Sequence, residues 1–250
     1  MRILPVLDLR DGLAVHAVAG TRERYRPLRS PLVADASPMA AAAALLELAP
    51  FAAFYVADLD AITGNGSRRN FAVLRDLGAL LGRRGVRELW LDAGRAAWTG
   101  ELAAALAAVG VRLLPVIGSE SLATGEQPQQ LAPGARPHAL SLDHRGGAFI
   151  GPRGLDFDAA SWPPRVLAME LSGVGTRRGP PLALLAALRR RALSAGRADI
   201  AFYAGGGVRD ADDLGQLANA GAAGALVATA LHDGSLGTAA LRRFAEKAAA

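Results

Sequence analysis

The sequence has no cysteine among its 250 residues, which excludes disulfide bonds and thiolate metal ligands. It also has no run that approaches the ~18 uncharged apolar residues of a membrane-spanning helix. Residues 1–5 enter a strand pattern and do not have the composition of a signal peptide. We therefore expect a soluble cytoplasmic protein with no membrane partner.

Lysine and large aromatic residues are scarce, and this scarcity bears on nucleic-acid binding. A net charge of +5 and a pI near 10.5 would suit a nucleic-acid partner. However, Lys247 is the single lysine, the arginines are scattered, and only three tryptophans and three tyrosines could stack on bases. We therefore expect no nucleic-acid partner.

Hydrophobic residues make up 51% of the chain, enough for a sizeable core. Eight short apolar runs are each followed by a segment that the sequence favours as a helix or a turn. The runs cover residues 2–8, 54–60, 87–92, 111–119, 138–143, 165–171, 198–204 and 224–231. This order predicts a single α/β domain over residues 1–250, a TIM (β/α)8 barrel. Strands two to four recur at a nearly constant offset in strands six to eight, which indicates a twofold half-barrel repeat.

A Gly-rich loop joins the seventh strand to a helix and predicts a phosphate site. Glycines let backbone N–H groups approach an anion, and a helix N-terminus adds its unpaired N–H groups and positive dipole end. The eighth strand ends nearby in small residues. The predicted phosphate contacts are Gly206, Gly207, Ala228, Thr229 and, from the preceding loop, Gly179. The alternative is that the three glycines form only a flexible loop.

Two aspartates, Asp8 and Asp143, end the first strand of each predicted half. The repeat predicts that they face each other across the mouth of the barrel, where such folds place their chemistry. Opposed carboxylates can serve as general base and general acid. The alternative is that both are buried turn caps.

Further strand and loop ends carry polar or small residues that could contact a substrate. Asp58 and Asp60 share one face if their segment is a strand, although they could instead cap the following loop. The candidate substrate contacts are Asp58, Asp60, Gly94, Ser119, Glu170, Thr176 and Arg177. The Arg-rich segment 20–31 is interpreted as a long exposed loop, either a lid over an anionic substrate or a solvated loop.

The four histidines do not show the spacing of metal ligands. A metal-dependent aldolase is therefore a weak hypothesis, and we expect neither a metal nor a cofactor. We expect a monomer or a small homo-oligomer.

Five segments together resemble the histidine-biosynthesis barrel family: ILPVLDLRDG at 3–12, VADLDA at 56–61, SLD at 141–143, GGGV at 205–208 and LVATAL at 226–231. That family includes phosphoribosylformimino-aminoimidazole carboxamide ribotide isomerase and the cyclase subunit of imidazole glycerol phosphate synthase. The resemblance implies acid/base roles for Asp8 and Asp143. It also implies phosphate binding by Gly206, Gly207, Ala228 and Thr229.

The chain departs from the family pattern where the N-terminal half would bind a second phosphate. Residues 92–95 read Asp-Ala-Gly-Arg in place of a Gly-Gly-Gly-Ile-Arg-like segment, and a carboxylate there would repel a dianion. Residues 169–170 and 174–176 also differ, whereas 118–119 and 179–180 match. The chain therefore resembles a divergent relative, similar to the barrel proteins associated with tetrahydromethanopterin- and methanofuran-linked one-carbon metabolism.

Two hypotheses of function follow from these observations. The first is an enzyme that acts on a small phosphorylated metabolite through Asp8 and Asp143, by an Amadori-type aldose–ketose isomerisation or a related reaction. The second is a non-catalytic or regulatory barrel that keeps one phosphate site.

Overall fold

The computed structural model describes residues 1–64, 66–128 and 137–249. Its strands are β1 (Arg2–Arg10), β2 (Leu13–His16), β3 (Arg26–Pro27), β4 (Ala53–Asp58), β5 (Glu88–Asp92), β6 (Arg112–Gly118), β7 (Ala139–Arg145), β8 (Ala148–Ile150), β9 (Arg165–Glu170), β10 (Ala201–Gly205) and β11 (Gly224–Val227). Its α-helices are α1 (Pro38–Leu48), α2 (Leu59–Thr63), α3 (Phe71–Arg83), α4 (Thr99–Ala107), α5 (Leu182–Ser194), α6 (Ala211–Asn219), α7 (Thr229–His232) and α8 (Thr238–Ala249).

Eight of these strands form a closed parallel barrel, in the order β1, β4, β5, β6, β7, β9, β10, β11. The barrel closes because β1 pairs with β4 on one side and with β11 on the other, with Val6 opposite Tyr55 and Arg2 opposite Gly224. The predicted TIM (β/α)8 barrel is confirmed. No helix in the described part of the chain is long and apolar enough to span a bilayer.

Large side chains fill the interior of the barrel near the amino ends of its strands. Trp90 is fully buried, and its ring lies 4.6 Å from that of Tyr203, between ring centroids. Trp90 Nε1 donates to Glu88 Oε2 at 3.1 Å, and Arg2 donates to the same oxygen at 2.9 Å. Burial opposes ionisation of Glu88, but hydrogen bonds from Arg112, Trp90 and Arg2 prevail and lower its pKa to about 2. This packing fills the barrel on the side of the amino ends, below the cavity at the carboxyl ends.

The structure differs from the sequence expectations in three connections. The predicted strand 54–60 ends at Asp58, because its carboxylate accepts a hydrogen bond from Ala61 N at 3.1 Å and so starts α2. The apolar run 224–231 divides into β11 and α7. The segment 20–31 is not a simple exposed loop, because it forms a short 3-10 turn and β3 and buries Tyr25 and Leu28.

Candidate functional site

A cavity of about 120 Å³ opens at the carboxyl ends of the barrel strands. Its wall includes both predicted acid/base residues and four of the five predicted phosphate contacts. Charged side chains dominate one part of the lining and glycine-rich backbone another: Asp8, Arg22, Asp92, Glu120, Asp143, Arg177, Gly206, Gly207, Ala228 and Thr229. These residues come from segments spread over nearly the whole chain, so the closed barrel is what brings them together.

Asp8 lies near the carboxyl end of β1, where the chain turns back into β2. It pairs with Ala57 of β4 on one side and with Val15 of β2 on the other. The side chain is partly exposed to the cavity, and no described hydrogen bond reaches its carboxylate. Burial raises the pKa of Asp8 to about 7, and the positive charge of Arg22 partly opposes this shift. A carboxyl group with such a pKa is suited to accept a proton near neutral pH.

Asp143 is almost fully buried at the end of β7 and is held by several donors. Ser141 Oγ donates to its Oδ1 at 2.6 Å, and the backbone N–H of Glu120 donates to Oδ2 at 3.3 Å. Burial is the main cause that raises the pKa of Asp143 to about 7, and the nearby charge of Glu120 adds to it, while the donors lower it. The neighbouring carboxylate therefore favours the protonated form, which suits a general acid.

Ser119 positions Asp143 from behind and does not line the cavity. Its Oγ accepts from the Asp143 backbone N–H at 2.9 Å and donates to the Ile150 carbonyl at 2.6 Å. A longer contact of 3.4 Å joins Ser119 Oγ to Asp143 Oδ2. The single hydroxyl proton of Ser119 is donated to the Ile150 carbonyl, so Ser119 Oγ has no second proton for Asp143 Oδ2. A protonated Asp143 could instead donate to Ser119 Oγ.

Asp92 is a third carboxyl group at the cavity, in addition to the site residues that the sequence predicts. It ends β5, is 7% exposed, and its Oδ1 accepts from the Gly94 N–H at 3.1 Å. Burial raises the pKa of Asp92 to about 8, with a further upward contribution from Asp143 and Glu120. One feature of the sequence points to this residue: segment 92–95 has Asp92 where the family pattern has glycine. From the sequence alone, that difference predicts only that a phosphate would be repelled.

Gly118 separates Asp92 from Asp143 on the intervening strand β6. A Cβ at Gly118 would lie 3.2 Å from Asp92 Oδ2 and 3.3 Å from Asp143 Oδ2. The two carboxyl oxygens therefore approach the same backbone position from neighbouring strands. The missing side chain leaves them room.

Arg22 brings a positive charge to these acids from the segment 20–31. Its guanidinium forms an ion pair with Glu120, and its carbonyl oxygen accepts from Arg10 Nη1 at 2.9 Å. The side chains of Arg22 and Glu120 are 29% and 20% exposed, so the pair covers part of the mouth. The arginine-rich segment is therefore anchored at the cavity.

The glycine loop after β10 forms the opposite wall. Gly206 and Gly207 have φ values of 101° and 82°, and a Cβ on either would lie within 2.4 Å of a backbone oxygen, of Glu170 or Gly179 respectively. Only glycine fits this close approach. Gly179 lies outside the cavity lining and supports the loop, because its N–H donates to the Gly207 carbonyl at 3.0 Å.

Helix α7 begins at Thr229 beside this loop. The N–H groups of Thr229 and Ala230 have no partner among the backbone hydrogen bonds of the described residues, whereas those of Leu231 and His232 donate to the Ala228 carbonyl. Ala228 and Thr229 line the cavity. Arg177 also lines it, in a left-handed conformation with φ 56°, and is held by an ion pair with Asp233 and by Ser235 Oγ at 3.0 Å. Backbone donors and a guanidinium together suit a phosphate group.

Asp58 and Asp60 lie away from the cavity lining, around Asn70. The amide of Asn70 donates to Asp58 Oδ1 at 2.7 Å and to Asp60 Oδ2 at 2.8 Å. Its oxygen accepts from the Gly12 N–H at 2.9 Å, and Asp60 also accepts from Asp11 N. This cluster ties the β1–β2 turn to the start of α3, which is a structural role.

The remaining predicted contacts, Gly94, Glu170 and Thr176, also lie outside the cavity lining. Gly94 donates to Asp92. Glu170 accepts from the N–H groups of Gly146 and Gly147 at 2.9 and 3.1 Å, while Thr176 Oγ1 donates to the Gly173 carbonyl at 2.9 Å. They support the loops from which the cavity is built. In the described residues, no three His, Cys, Asp or Glu side chains are grouped as metal ligands.

Comparisons with known proteins match one family model to part of the chain and three relatives to most of it. A family model described as "Histidine biosynthesis protein" matches residues 162–237, which include the glycine loop and α7. An uncharacterized protein of Methanocaldococcus jannaschii is 28% identical over 238 residues, 94% of this chain and 95% of the relative. The matched relatives thus span almost the full barrel.

Two further relatives are named as the imidazole-4-carboxamide isomerase whose substrate carries two phosphoribosyl groups. The protein of Halobacterium salinarum is 27% identical over 249 residues, 93% of this chain and 92% of the relative. That of Myxococcus xanthus is 29% identical over 250 residues, 97% of this chain and 98% of the relative. None of the three names concerns one-carbon metabolism, so that part of the resemblance stays a prediction.

Proposed function

This chain is a relative of the histidine-biosynthesis barrel family, and on that premise we propose that it is an isomerase-type enzyme acting on a small phosphorylated metabolite. The observation that carries the proposal is one cavity lined by Asp8 and Asp143 and also by Gly206, Gly207, Ala228 and Thr229. A substrate anchored there by its phosphate would have its reacting carbons between two acids.

The proposed reaction is an Amadori-type conversion of an aldose derivative into a ketose derivative. Asp143 donates a proton to the sugar, which favours opening of the ring. Asp8 removes the proton from the carbon next to the newly formed C=N bond. The resulting enaminol takes up a proton at the former imine carbon and loses its hydroxyl proton, which gives the ketone. The Arg22 charge favours ionised Asp8 and the Glu120 charge favours protonated Asp143, which supports this division of roles.

The phosphate is proposed to bind to the glycine loop and to the N-terminus of α7. Phosphorus NMR or calorimetry with inorganic phosphate would test this part directly. Thr229→Glu places a negative charge at the first residue of a helix, where acidic side chains are favourable, and should abolish phosphate binding while the protein stays folded. Thr238→Glu, at the start of α8 and outside the cavity, is the matched control and should bind phosphate normally.

The catalytic part is tested by assaying the bis-phosphoribosyl substrate named for two relatives and a set of monophosphorylated glycosylamines. Turnover that is lost in Asp8→Asn and Asp143→Asn would support the proposal. Binding of phosphate with no turnover of any of these compounds would instead support the non-catalytic barrel.

A further inference from the structure

We propose that the end of the cavity away from the phosphate binds a positively charged nitrogen, so that the substrate carries one phosphate and one protonated amine or amidine. The inference rests on the proposed function for the phosphate end. It adds the chemical class of the group at the opposite end.

The cavity lining has more acidic than basic side chains. Four carboxyl groups line it, those of Asp8, Asp92, Glu120 and Asp143, beside the guanidinium groups of Arg22 and Arg177. Arg22 is already paired with Glu120, and Arg177 is paired with Asp233, which does not line the cavity. Three carboxyl groups are therefore left without a positive partner.

Asp92 has one carboxyl oxygen that is free to accept a donor from a ligand. Its side chain is more than nine-tenths buried, yet it lines the cavity, and one of its two oxygens, Oδ2, has no partner among the hydrogen bonds of the described residues. This oxygen is not sealed from the cavity, unlike Asp58 Oδ2, so a donor from a ligand can reach it and hydrogen-bond to it. The same oxygen faces the open position at Gly118, beside Asp143 Oδ2.

The order of the strands places Asp92 and Glu120 across the barrel from the phosphate contacts. Asp92 ends β5, and Glu120 follows β6, whereas the phosphate contacts follow β10 and β11. In the closed order of eight strands, β5 and β6 lie opposite β10 and β11. A ligand that spans the cavity therefore has its phosphate at one wall and its other end at the acids, where a second phosphate would be repelled.

The raised pKa values of the three aspartates agree with this assignment. Burial raises the pKa of all three, to about 7, 8 and 7 for Asp8, Asp92 and Asp143, and repulsion by neighbouring carboxylates adds to the shift at Asp92 and Asp143. A cation would remove this penalty, so its binding should release protons to the buffer near neutral pH. A neutral group at the same place would release none.

The experiment compares three series of synthetic probes of increasing chain length, from propyl to hexyl: aminoalkyl monophosphates, hydroxyalkyl monophosphates and alkanediyl bisphosphates. Calorimetry in buffers of different ionisation enthalpy gives both the affinity and the number of protons released. At the best length we expect the amine to bind at least about tenfold more tightly than the alcohol, with proton release, and the bisphosphate to bind more weakly than the alcohol.

Asp92→Asn should remove most of the preference for the amine and reduce the proton release. Asp76→Asn, which changes the net charge equally on the exposed face of α3, should leave both unchanged. Circular dichroism of each variant shows whether it is folded. Amine selectivity that persists in folded Asp92→Asn would contradict the assignment.

The other outcomes of the binding experiment distinguish failure of the cation site from failure of the phosphate site. Equal affinity for amine and alcohol, or tighter binding of the bisphosphate, would overturn the cationic end and leave the phosphate site standing. Failure of every probe and of inorganic phosphate to bind would refute the proposed function itself. Displacement of the amine by micromolar Mn²⁺ would assign the acids to a metal and overturn the inference.

Discussion

Asp8 and Asp143 occupy equivalent positions: each pairs with the residue seven places further along the chain in an antiparallel hairpin. Asp8 lies opposite Val15 of β2, and Asp143 lies opposite Ile150 of β8. Each hairpin folds back at the carboxyl end of a barrel strand. The two carboxyl groups therefore reach the same cavity from corresponding places in the two halves of the barrel.

The first prediction concerns these two acids. Asp8→Asn and Asp143→Asn should each lower kcat at least about a hundredfold, because each removes a proton-transfer group and keeps the shape of the side chain. Steady-state kinetics with an active phosphorylated substrate measures this. Asp11→Asn, an exposed aspartate on the neighbouring turn, is the control and should retain near-normal kcat. Unchanged turnover in Asp8→Asn would remove it as the base.

The second prediction concerns stability and pH. The pKa of Asp92 is about 8 in the folded protein and near 4 in the unfolded chain, so between these values the folded state holds the extra proton and loses stability as pH rises. Asp92→Asn should therefore stabilise the protein more at pH 9 than at pH 5, by more than about 1 kcal/mol. Urea unfolding at both pH values measures the difference. A gain that is equal at the two values would show that Asp92 is ionised throughout.

The third prediction concerns Arg22. Its charge lowers the pKa of Asp8, so Arg22→Gln should raise that pKa and move the acidic limb of the kcat/KM profile to higher pH by about 1 unit. The profile of Arg24→Gln, an exposed arginine in the same 3-10 turn, should match that of the unmodified protein. A shift of the limb to lower pH would mean that a group other than Asp8 controls it.

The fourth prediction compares two glycines. Gly206→Ala should destabilise the protein by about 1–3 kcal/mol, because a Cβ there would lie 2.4 Å from the Glu170 carbonyl oxygen at a φ of 101°. Gly215→Ala, inside α6 with no atom within 4 Å of the new Cβ, should instead stabilise it by about 0.5–1 kcal/mol. Denaturant unfolding of both variants gives the change in the free energy of unfolding. A change of the same sign in both would contradict the close approach between residue 206 and the Glu170 carbonyl.

The sequence predicted the barrel because each strand is an apolar run bounded by turn residues. It also predicted which residues would share the cavity mouth at Asp8, Asp143 and the glycine loop, since strand ends of a parallel barrel meet on one face. Both predictions use local signals, the apolar runs and the turn residues, together with the rule that the carboxyl ends of all barrel strands form one face.

The misplaced residues depend on partners that are distant in sequence. Asp58 and Asp60 have the two-residue spacing of a strand face, but the amide of Asn70 and the start of α2 hold them outside the cavity. Arg22 lies in a charged segment that is typical of a solvated loop, and Glu120 anchors it at the mouth. Hydrophobic periodicity is a local signal and does not predict contacts between residues that are distant in sequence.

Asp92 shows the limit of comparison with a family pattern. The pattern indicated what the residue would exclude, a second phosphate. It did not indicate that Asp92 lies beside Asp143, because that proximity depends on the missing side chain of Gly118 on the strand between them.

The pairing of β1 with β11 also constrains how the protein assembles. Asp8 lies on β1, whereas the wall that borders it, Val227 to Thr229, is formed by β11 and the start of α7. The cavity is therefore complete only when β11 has paired with β1. Removal of β11 and the helices that follow it would open the barrel and expose the edge of β1, the strand that carries Asp8. An exposed strand edge favours aggregation.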